Sequence, residues 1–282
     1  MPNLYIMIGC PASGKDTWSK QMIENYENIV MHSSDSIRAE LYGDESIQGD
    51  PNKIFTLLVR RTIEDLECGK NVIYNATNVS RRNRKTIIGM ARKIPNVTII
   101  AVVMATPIEI CKERNAARER QVPEHVYTKM LARWDTPLYI EGFDLIRVEH
   151  SHDFLVYWNE ILQKMKDFGD QKNPHHTLSL YDHSVACQKN IPLRLSRAAL
   201  FHDCGKILTQ SFDEKNIAHY YNHEKVSSYL ALCAGLSCYE SALIGLHMIP
   251  YFDDKAKKMK DFLDKDFWKD IEILHEADKM AH

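Results

Sequence analysis

Apolar positions in the first half of the chain fall into short dense runs separated by amphipathic stretches. Leu4–Ile8, Asn28–Met31, Asn71–Tyr74 and the β-branched run Val97–Met104 read as strands, and Phe143–Val148 adds a last extended piece. Between them the spacing turns helical. One helix is predicted from Lys15 to about Asn25. A second runs from Pro51 to Glu67, carries Ile54, Leu57, Leu58, Ile63 and Leu66, and closes at Gly69; a third starts at an N-capping Ser80 and runs to about Lys93. Strand and helix in alternation predict an α/β domain, a parallel sheet with helices on both faces. From Pro107 onward the pattern is helical, and after about His152 no strand is predicted. Turns at Asn173-Pro174, Gly235 and Pro250 divide the remainder into helices. The expected organisation is an α/β domain over 1–150, a helical linker over 151–172 and an all-α domain over 173–282.

Composition narrows the class. With 44% hydrophobic and 26% charged residues over 282 positions, the chain can bury a sizeable core. A formal charge of −2 excludes a bulk cationic field, so any polyanion must be held by local patches. Arg81, Arg82, Arg84 and Lys85 at a helix start form one such patch and Arg60-Arg61 a smaller one; a solvated helix face explains each residue equally well. The seven cysteines form no CxxC pair, which predicts reduced thiols in a cytoplasmic protein. The N-terminal apolar run lacks a basic segment before it and reads as a first strand, not a signal peptide. No stretch has the ~20 apolar residues of a membrane-spanning helix, so no membrane partner is expected.

The first strand runs into Gly9-Cys-Pro-Ala-Ser13-Gly14-Lys15-Asp16-Thr17 and then a helix. Backbone N–H groups of such a loop and the positive end of the helix surround a β-phosphate, while the lysine reaches the β- and γ-phosphates. ATP with Mg²⁺ is therefore the expected cofactor. The position after the lysine usually carries the hydroxyl that meets Mg²⁺; here it is Asp16, with Thr17 one place late. After the second strand, Ser34-Asp35-Ser36-Ile37-Arg38 offers a carboxylate to take a hydroxyl proton and an arginine one turn on to grip a phosphate. An N-capping aspartate beside a solvated arginine would read the same way. Glu113-Arg114-Asn-Ala-Ala-Arg118-Glu-Arg120 sets Arg114 and Arg118 at i, i+4, as in a lid over a transferred phosphate or on a plain solvated helix.

Taken together, GCPASGKDT, SDSIR, the strand-end Ala76-Thr77-Asn78 with Arg81-Arg82, and ERNAAR resemble the kinase domain of phage polynucleotide kinase-phosphatase and the kinase parts of bacterial RNA end-healing enzymes, over roughly residues 1–150. The resemblance implies that Lys15 contacts the ATP phosphates and that Asp35 is the general base on a 5′-OH. It implies further that Arg38 holds an acceptor phosphate and that Arg118 reaches the ATP phosphates from a lid. Two positions depart from the family: Asp16 replaces the hydroxyl residue, and Asn75 stands where an aspartate is usual.

In the helical half, His183, His202-Asp203, His223, His247 and Asp278 follow one another with His-Asp-Cys-Gly-Lys206 at the centre, as expected for one ligand per successive helix. Imidazole and carboxylate together suit Mn²⁺, Fe, Ni²⁺, Co²⁺ or Zn²⁺. A lone buried histidine is more often a core residue; five positions in this order are not. The pattern is similar to the HD phosphohydrolase superfamily. That resemblance implies a first metal on His183, His202, Asp203 and Asp278, and a second completed by His223 and His247 with Asp203 bridging. Lys206 then neutralises charge on a substrate phosphate. His176, His219 and His275 read as supporting or surface residues. Little chain follows Asp278 to brace it.

Kinase and phosphohydrolase would cancel on one small substrate but complement each other on the two ends of a broken strand. Bacterial enzymes called HD-Pnk pair these folds with the HD domain first, and this sequence looks like that pairing in the opposite order. The expected partners are nucleic-acid ends, RNA ahead of DNA, a nucleoside triphosphate donor and a ligase acting downstream. Two other readings fit the same residues: a nucleoside or nucleotide kinase fused to a nucleotidase or phosphodiesterase acting on small molecules, and a weakened kinase that senses nucleotide and gates the second half.

Overall fold

The computed structural model describes residues 1–174 and 177–281 and divides into two compact units, Met1–Thr128 with Pro137–Ser151, and Lys129–Thr136 with His152–His282.

The first unit runs β1 (Asn3–Ile8), α1 (Lys15–Asn25), β2 (Ile29–Ser33), α2 (Ser34–Tyr42), α3 (Pro51–Glu67), β3 (Asn71–Asn75), α4 (Arg81–Ala91), β4 (Thr98–Ala105), α5 (Ile108–Ala116), α6 (Glu124–Leu131) and β5 (Leu145–His150). All five strands are parallel in the order β2-β3-β1-β4-β5. β4 carries an almost unbroken buried run because it lies inside the sheet with both faces covered. Met7, Ile29, Ile73, Ile100, Val102 and Met104 form a core cluster against which Trp18 and Met22 of α1 pack. The chain leaves β1 toward β2 on one side and later crosses to β4 on the other. The C-terminal end of β1 is thus a switch point, where an open α/β sheet leaves a crevice for ligand.

Arg84 does not lie on a basic surface. It is fully buried, donates Nε and Nη2 to Glu141 at 2.8 and 2.7 Å, and donates Nη1 to the carbonyl of Asn78. Helical spacing turns Arg84 inward with Ile87, Ile88 and Ala91, so the patch expected at this helix start keeps Arg81, Arg82 and Lys85. Arg61 is likewise taken, in two 2.7 Å bonds to Glu40, and Arg60 faces Glu64.

The second unit contains α7 (Phe154–Phe168), α8 (Leu180–Lys189), α9 (Ser196–Phe201), α10 (Lys206–Thr209), α11 (His223–Cys233), α12 (Cys238–Leu246), α13 (Asp253–Phe262) and α14 (Lys265–Lys279). Between α10 and α11 an antiparallel pair, β6 (Gln210–Phe212) and β7 (Ala218–Tyr220), corrects the expectation of no strand after His152. Three-residue strands around Asn216, which adopts φ 58°, are too short to show periodicity. Residues 151–172, read as a linker, hold α7, which buries Tyr157, Ile161 and Met165 and counts with the second unit. Lys129–Thr136 belongs to this unit too. Trp134 is fully buried edge-on to Tyr229 at 4.8 Å, and its indole N–H donates to Thr136 Oγ1.

Candidate functional sites

In the first unit, residues at the C-terminal ends of the strands supply the site. The loop after β1 needs its glycines. A Cβ on Gly9 would sit 2.6 Å from Ser13 Oγ, and Gly14 caps α1 at φ 101°. Lys15 opens α1 with its ammonium folded into the loop, 3.1 and 2.7 Å from the carbonyls of Gly9 and Cys10; burial pushes its pKa down. Ser13 Oγ is buried without a hydrogen-bond partner among the described residues, a donor left for an anion in the loop. Thr106, beyond β4, steadies the loop by donating to the Ser13 carbonyl at 2.9 Å.

Asp16 is exposed, and its Oδ1 accepts from Asn75 Nδ2 at 2.7 Å. The two departures from the family pattern therefore touch. Thr17 is exposed on the same first turn.

Asp35 lies in the first turn of α2, N-capped by Ser33, and pairs with Arg38 at 2.5 Å. Arg38 is mostly buried, and its Nε has no hydrogen-bond partner among the described residues. The arginine that approaches Asp35 from the loop after α5 is Arg120, at 4.0 Å, which also pairs with Glu45 at 3.0 Å. Sequence spacing singled out Arg114 and Arg118 as one helical face, but α5 ends at Ala116, with Ala117 as its C-cap and Arg118 in the exposed turn beyond. Asn115 closes that turn through paired bonds to Val122, 2.9 Å each. Asn115 clamps with its amide, so the helix stops there and i, i+4 geometry does not reach Arg118. Arg114 stays in the helix. Its guanidinium approaches Gly14, 3.8 Å from where a Cβ would be, and donates to Ser151 Oγ. Arg120 and Thr106 were missed as site residues; nothing in local spacing favours Arg120 over Arg118.

In the second unit, all six expected ligand positions converge. Two groups share Asp203: His183, His202, Asp203 and Asp278, and Asp203, His223 and His247, each with ligand atoms within 4.8 Å of one another. Asp203 Oδ2 lies 3.5 and 3.4 Å from the Nε2 atoms of His183 and His202. Its Oδ1 lies 3.1 Å from His223 Nε2 and 3.9 Å from His247 Nε2. Asp278 Oδ1 lies 3.0 and 3.2 Å from His183 and His202. The ligands are not spread one to each successive helix. His183 sits within α8 and Asp278 near the end of α14; His202 and His247 are C-caps of α9 and α12, His223 opens α11, and α10 and α13 carry none.

The four imidazoles are oriented in the same way. Each places Nδ1 on a backbone carbonyl: His202 on Ala199, His223 on Tyr220, His247 on Ile244 and His183 on Ala281, at 2.6 to 2.8 Å. Nδ1 must carry a proton to donate there, so in the neutral ring the inward-aimed Nε2 is the lone-pair nitrogen. The Ala281 carbonyl, beyond Asp278, braces His183, while Asp278 itself is met by His183 and His202. His247 Nε2 is buried without a hydrogen-bond partner among the described residues, and burial with the neighbouring His202 and His223 pushes its pKa down to about 3. A buried acceptor nitrogen facing a shared carboxylate fits a cation, and the nitrogen and oxygen donor set suits a transition metal. Burial opposes charge on Asp203 and Asp278. Lys206 and His202 nevertheless hold Asp203 low, and His202 and His183 hold Asp278 low; both stay ionised, and the carboxylates hold His202 above the usual imidazole value.

The glycine of His-Asp-Cys-Gly-Lys has a steric reason. A Cβ on Gly205 would fall 2.3 Å from the His223 carbonyl and 2.5 Å from Ser227 N, so only glycine lets this turn meet the start of α11. Lys206 is buried, with its ammonium on Asp203 Oδ2 at 2.6 Å and Gln171 Oε1 at 2.8 Å. Of the three extra histidines, His219 pairs with Asp213 on the hairpin, His275 is buried edge-on to Tyr251, and His176 lies outside the described residues. All seven cysteines are free, and no helix among the described residues is long and apolar enough to cross a membrane.

Comparison with known proteins bears on the first unit. Residues 4–137 match the AAA domain family. The chain is 27% identical over 181 residues to the L-seryl-tRNA(Sec) kinase of Methanococcus maripaludis, covering 60% of this chain and 67% of that protein. It is 23% identical over 168 residues to the bifunctional polynucleotide phosphatase/kinase of Schizosaccharomyces pombe, covering 56% of this chain and only 37% of the relative. Among solved structures, a chain of the Pnkp1/Rnl/Hen1 RNA repair complex aligns at 24% identity with a TM-score of 0.42, over 47% of this chain and 43% of its own length. A second structure of a Pnkp1/Rnl/Hen1 complex aligns at 27% identity and TM-score 0.37, over 44% and 41%.

Proposed function

We propose that the chain is a bifunctional RNA end-healing enzyme. Its first unit phosphorylates 5′-OH ends with ATP, and its second, an HD-type metal phosphohydrolase, opens and removes 2′,3′-cyclic or terminal phosphates. The observation that carries the reading is the presence in one chain of two complete constellations. One is a phosphate loop whose Lys15 lies within electrostatic reach of Asp35, itself paired with Arg38; the other is the Asp203-centred cluster of four imidazoles and two carboxylates. The names of the relatives support the kinase half, because both are kinases and one acts on polynucleotides while also carrying a phosphatase.

In the first unit the loop and Lys15 bind the triphosphate of ATP, and Asp16 would hold its Mg²⁺. Asp35 accepts the proton of the 5′-OH, the oxygen attacks the γ-phosphorus and ADP departs. Arg38, with its Nε unused by other residues, grips the acceptor phosphate, while Arg114 and the exposed Arg118 serve the donor side. In the second unit His183, His202, Asp203 and Asp278 would hold one metal ion, and Asp203, His223 and His247 a second. Such ions supply Lewis acidity and an acidified water for attack on a phosphate ester. Asp203, shared between the two groups, keeps them in register, and Lys206 keeps Asp203 ionised.

The seryl-tRNA kinase match favours a second reading, in which the kinase acceptor is a hydroxyl other than an RNA 5′ end. One experiment separates the two. Protein is incubated with ATP, Mg²⁺ or Mn²⁺ and an RNA oligonucleotide bearing 5′-OH and 2′,3′-cyclic phosphate ends, beside aminoacyl-tRNA and nucleosides, with Lys15→Ala and Asp203→Ala controls. End healing requires 5′ phosphorylation lost only in Lys15→Ala and cyclic-end opening lost only in Asp203→Ala. Neither end changing, while a nucleoside or charged tRNA gains phosphate, replaces it with the second reading.

A further inference from the structure

The phosphate loop and the end of β3 carry one deviation each, and the two residues are hydrogen-bonded although 59 positions apart. In phosphate-loop enzymes the usual arrangement is a hydroxyl after the lysine and an aspartate on a neighbouring strand, which share the Mg²⁺ of the nucleotide. Here the carboxylate is on the loop and the neutral residue on the strand. Either change alone would be unfavourable. A hydroxyl at 16 beside Asn75 leaves no negative charge for the cation. Asp16 beside an aspartate at 75 sets two carboxylates at hydrogen-bond distance, where like charges cannot both stay ionised at low cost. Made together, the changes keep one carboxylate.

We propose that Asp16 and Asn75 are an exchanged pair. Asp16 provides the carboxylate that holds the cation of the nucleotide, and Asn75 is a positioning residue that fixes it. The amide of Asn75 is itself constrained. Its Nδ2 donates to Asp16 Oδ1 at 2.7 Å and lies 3.5 Å from Met31 Sδ of β2, so the nitrogen faces the carboxylate and the second oxygen of Asp16 is not used by Asn75. β3 fixes Asn75, which is buried at the strand end, while Asp16 stays exposed on the first turn of α1 where a cation arrives from solvent. The net charge facing the triphosphate is then that of the usual arrangement, displaced from strand to loop.

The inference rests on nucleotide binding by the first unit, so the test reads that separately. Using the full chain, with Asp203→Ala in every protein compared so that the second unit's two ligand groups are broken, ADP affinity is measured by calorimetry in the presence of chelator, and Mn²⁺ affinity of the protein–ADP complex by electron paramagnetic resonance. Native protein, Asp16→Ser, Asn75→Asp and the double variant are compared, with Asp16→Asn as an isosteric substitute should Asp16→Ser fail to fold. The expected result is that Asp16→Ser weakens Mn²⁺ binding about tenfold or more while metal-free ADP binding holds. Asn75→Asp weakens metal-free ADP binding through the added charge. The double variant returns Mn²⁺ affinity to within about threefold of native, as expected when two substitutions in contact are coupled. A double variant as weak as Asp16→Ser, or an Asp16→Ser variant with native Mn²⁺ affinity, overturns the exchange. Failure of the native protein to bind ADP at all overturns instead the kinase reading beneath it.

Discussion

Lys206 Nζ lies 2.6 Å from Asp203 Oδ2, with Gln171 on its other side, and both side chains of the pair are almost fully buried. A lysine so placed polarises and orients the carboxylate shared by the two ligand groups. Removing it leaves a buried carboxylate with less opposing charge, which raises its proton affinity against that for a metal. Lys206→Met should therefore lower Mn²⁺ affinity by about 10–100-fold, the usual effect of losing a partner of a metal ligand. Metal titration checks this. A variant that binds Mn²⁺ like native but shows a raised KM for the phosphate ester would return Lys206 to direct contact with substrate.

The shared carboxylate makes metal stoichiometry diagnostic. After equilibration with Mn²⁺ and gel filtration, His247→Ala should lose one ion per chain relative to native and His183→Ala the other. Asp203→Ala should lose both, as read by elemental analysis. Chelation should lower the melting temperature by several degrees, because a ligand that binds only the folded state stabilises it. A native protein that carries one ion per chain, lost completely in both His183→Ala and His247→Ala, would mean a single ion.

Arg84 and Glu141 test whether the basic start of α4 contacts nucleic acid or holds the fold. The pair is completely buried and bidentate. Glu141→Ala strands the guanidinium and should cost ~3–5 kcal/mol of stability in urea denaturation. Arg82→Ala, on the exposed side, should leave stability within about 0.5 kcal/mol of native. A small loss in Glu141→Ala would show that the pair is dispensable.

Asp270 should contribute to the acid sensitivity of the second unit. Burial pushes its carboxyl up, but Arg194 and the Tyr239 hydroxyl together hold it below the usual carboxylate range. With the folded pKa below the unfolded value of about 3.9, its contribution is complete above pH 4 and is lost as pH falls through the folded pKa. Asp270→Asn should be less stable than native at pH 7 by about 1–2 kcal/mol, with the gap closing as pH falls through the folded pKa. A gap constant with pH would assign the loss to packing.

Sequence alone determined the features that depend on near neighbours. The parallel α/β order follows from apolar runs alternating with helical spacing, and β1, α1, α3, β3 and α4 lie within a residue or two of where that pattern puts them. The phosphate loop is legible because its lysine and glycines serve one turn of backbone. Three of the four imidazoles bond a carbonyl three residues back, so even their orientation is a local property. Tertiary structure decided what depends on residues far apart in the chain. Asp16 and Asn75 read as two separate defects until the sheet brings β3 beside the loop. Arg84 reads as a surface charge until Glu141 arrives beneath it. His183 is braced from Ala281, at the far end of the chain, and α7 reads as a linker until its apolar face is buried. Periodicity reports which face of an element is apolar; it carries no record of which distant polar group will satisfy a buried one, and that pairing settles whether a charged residue is site, surface or core.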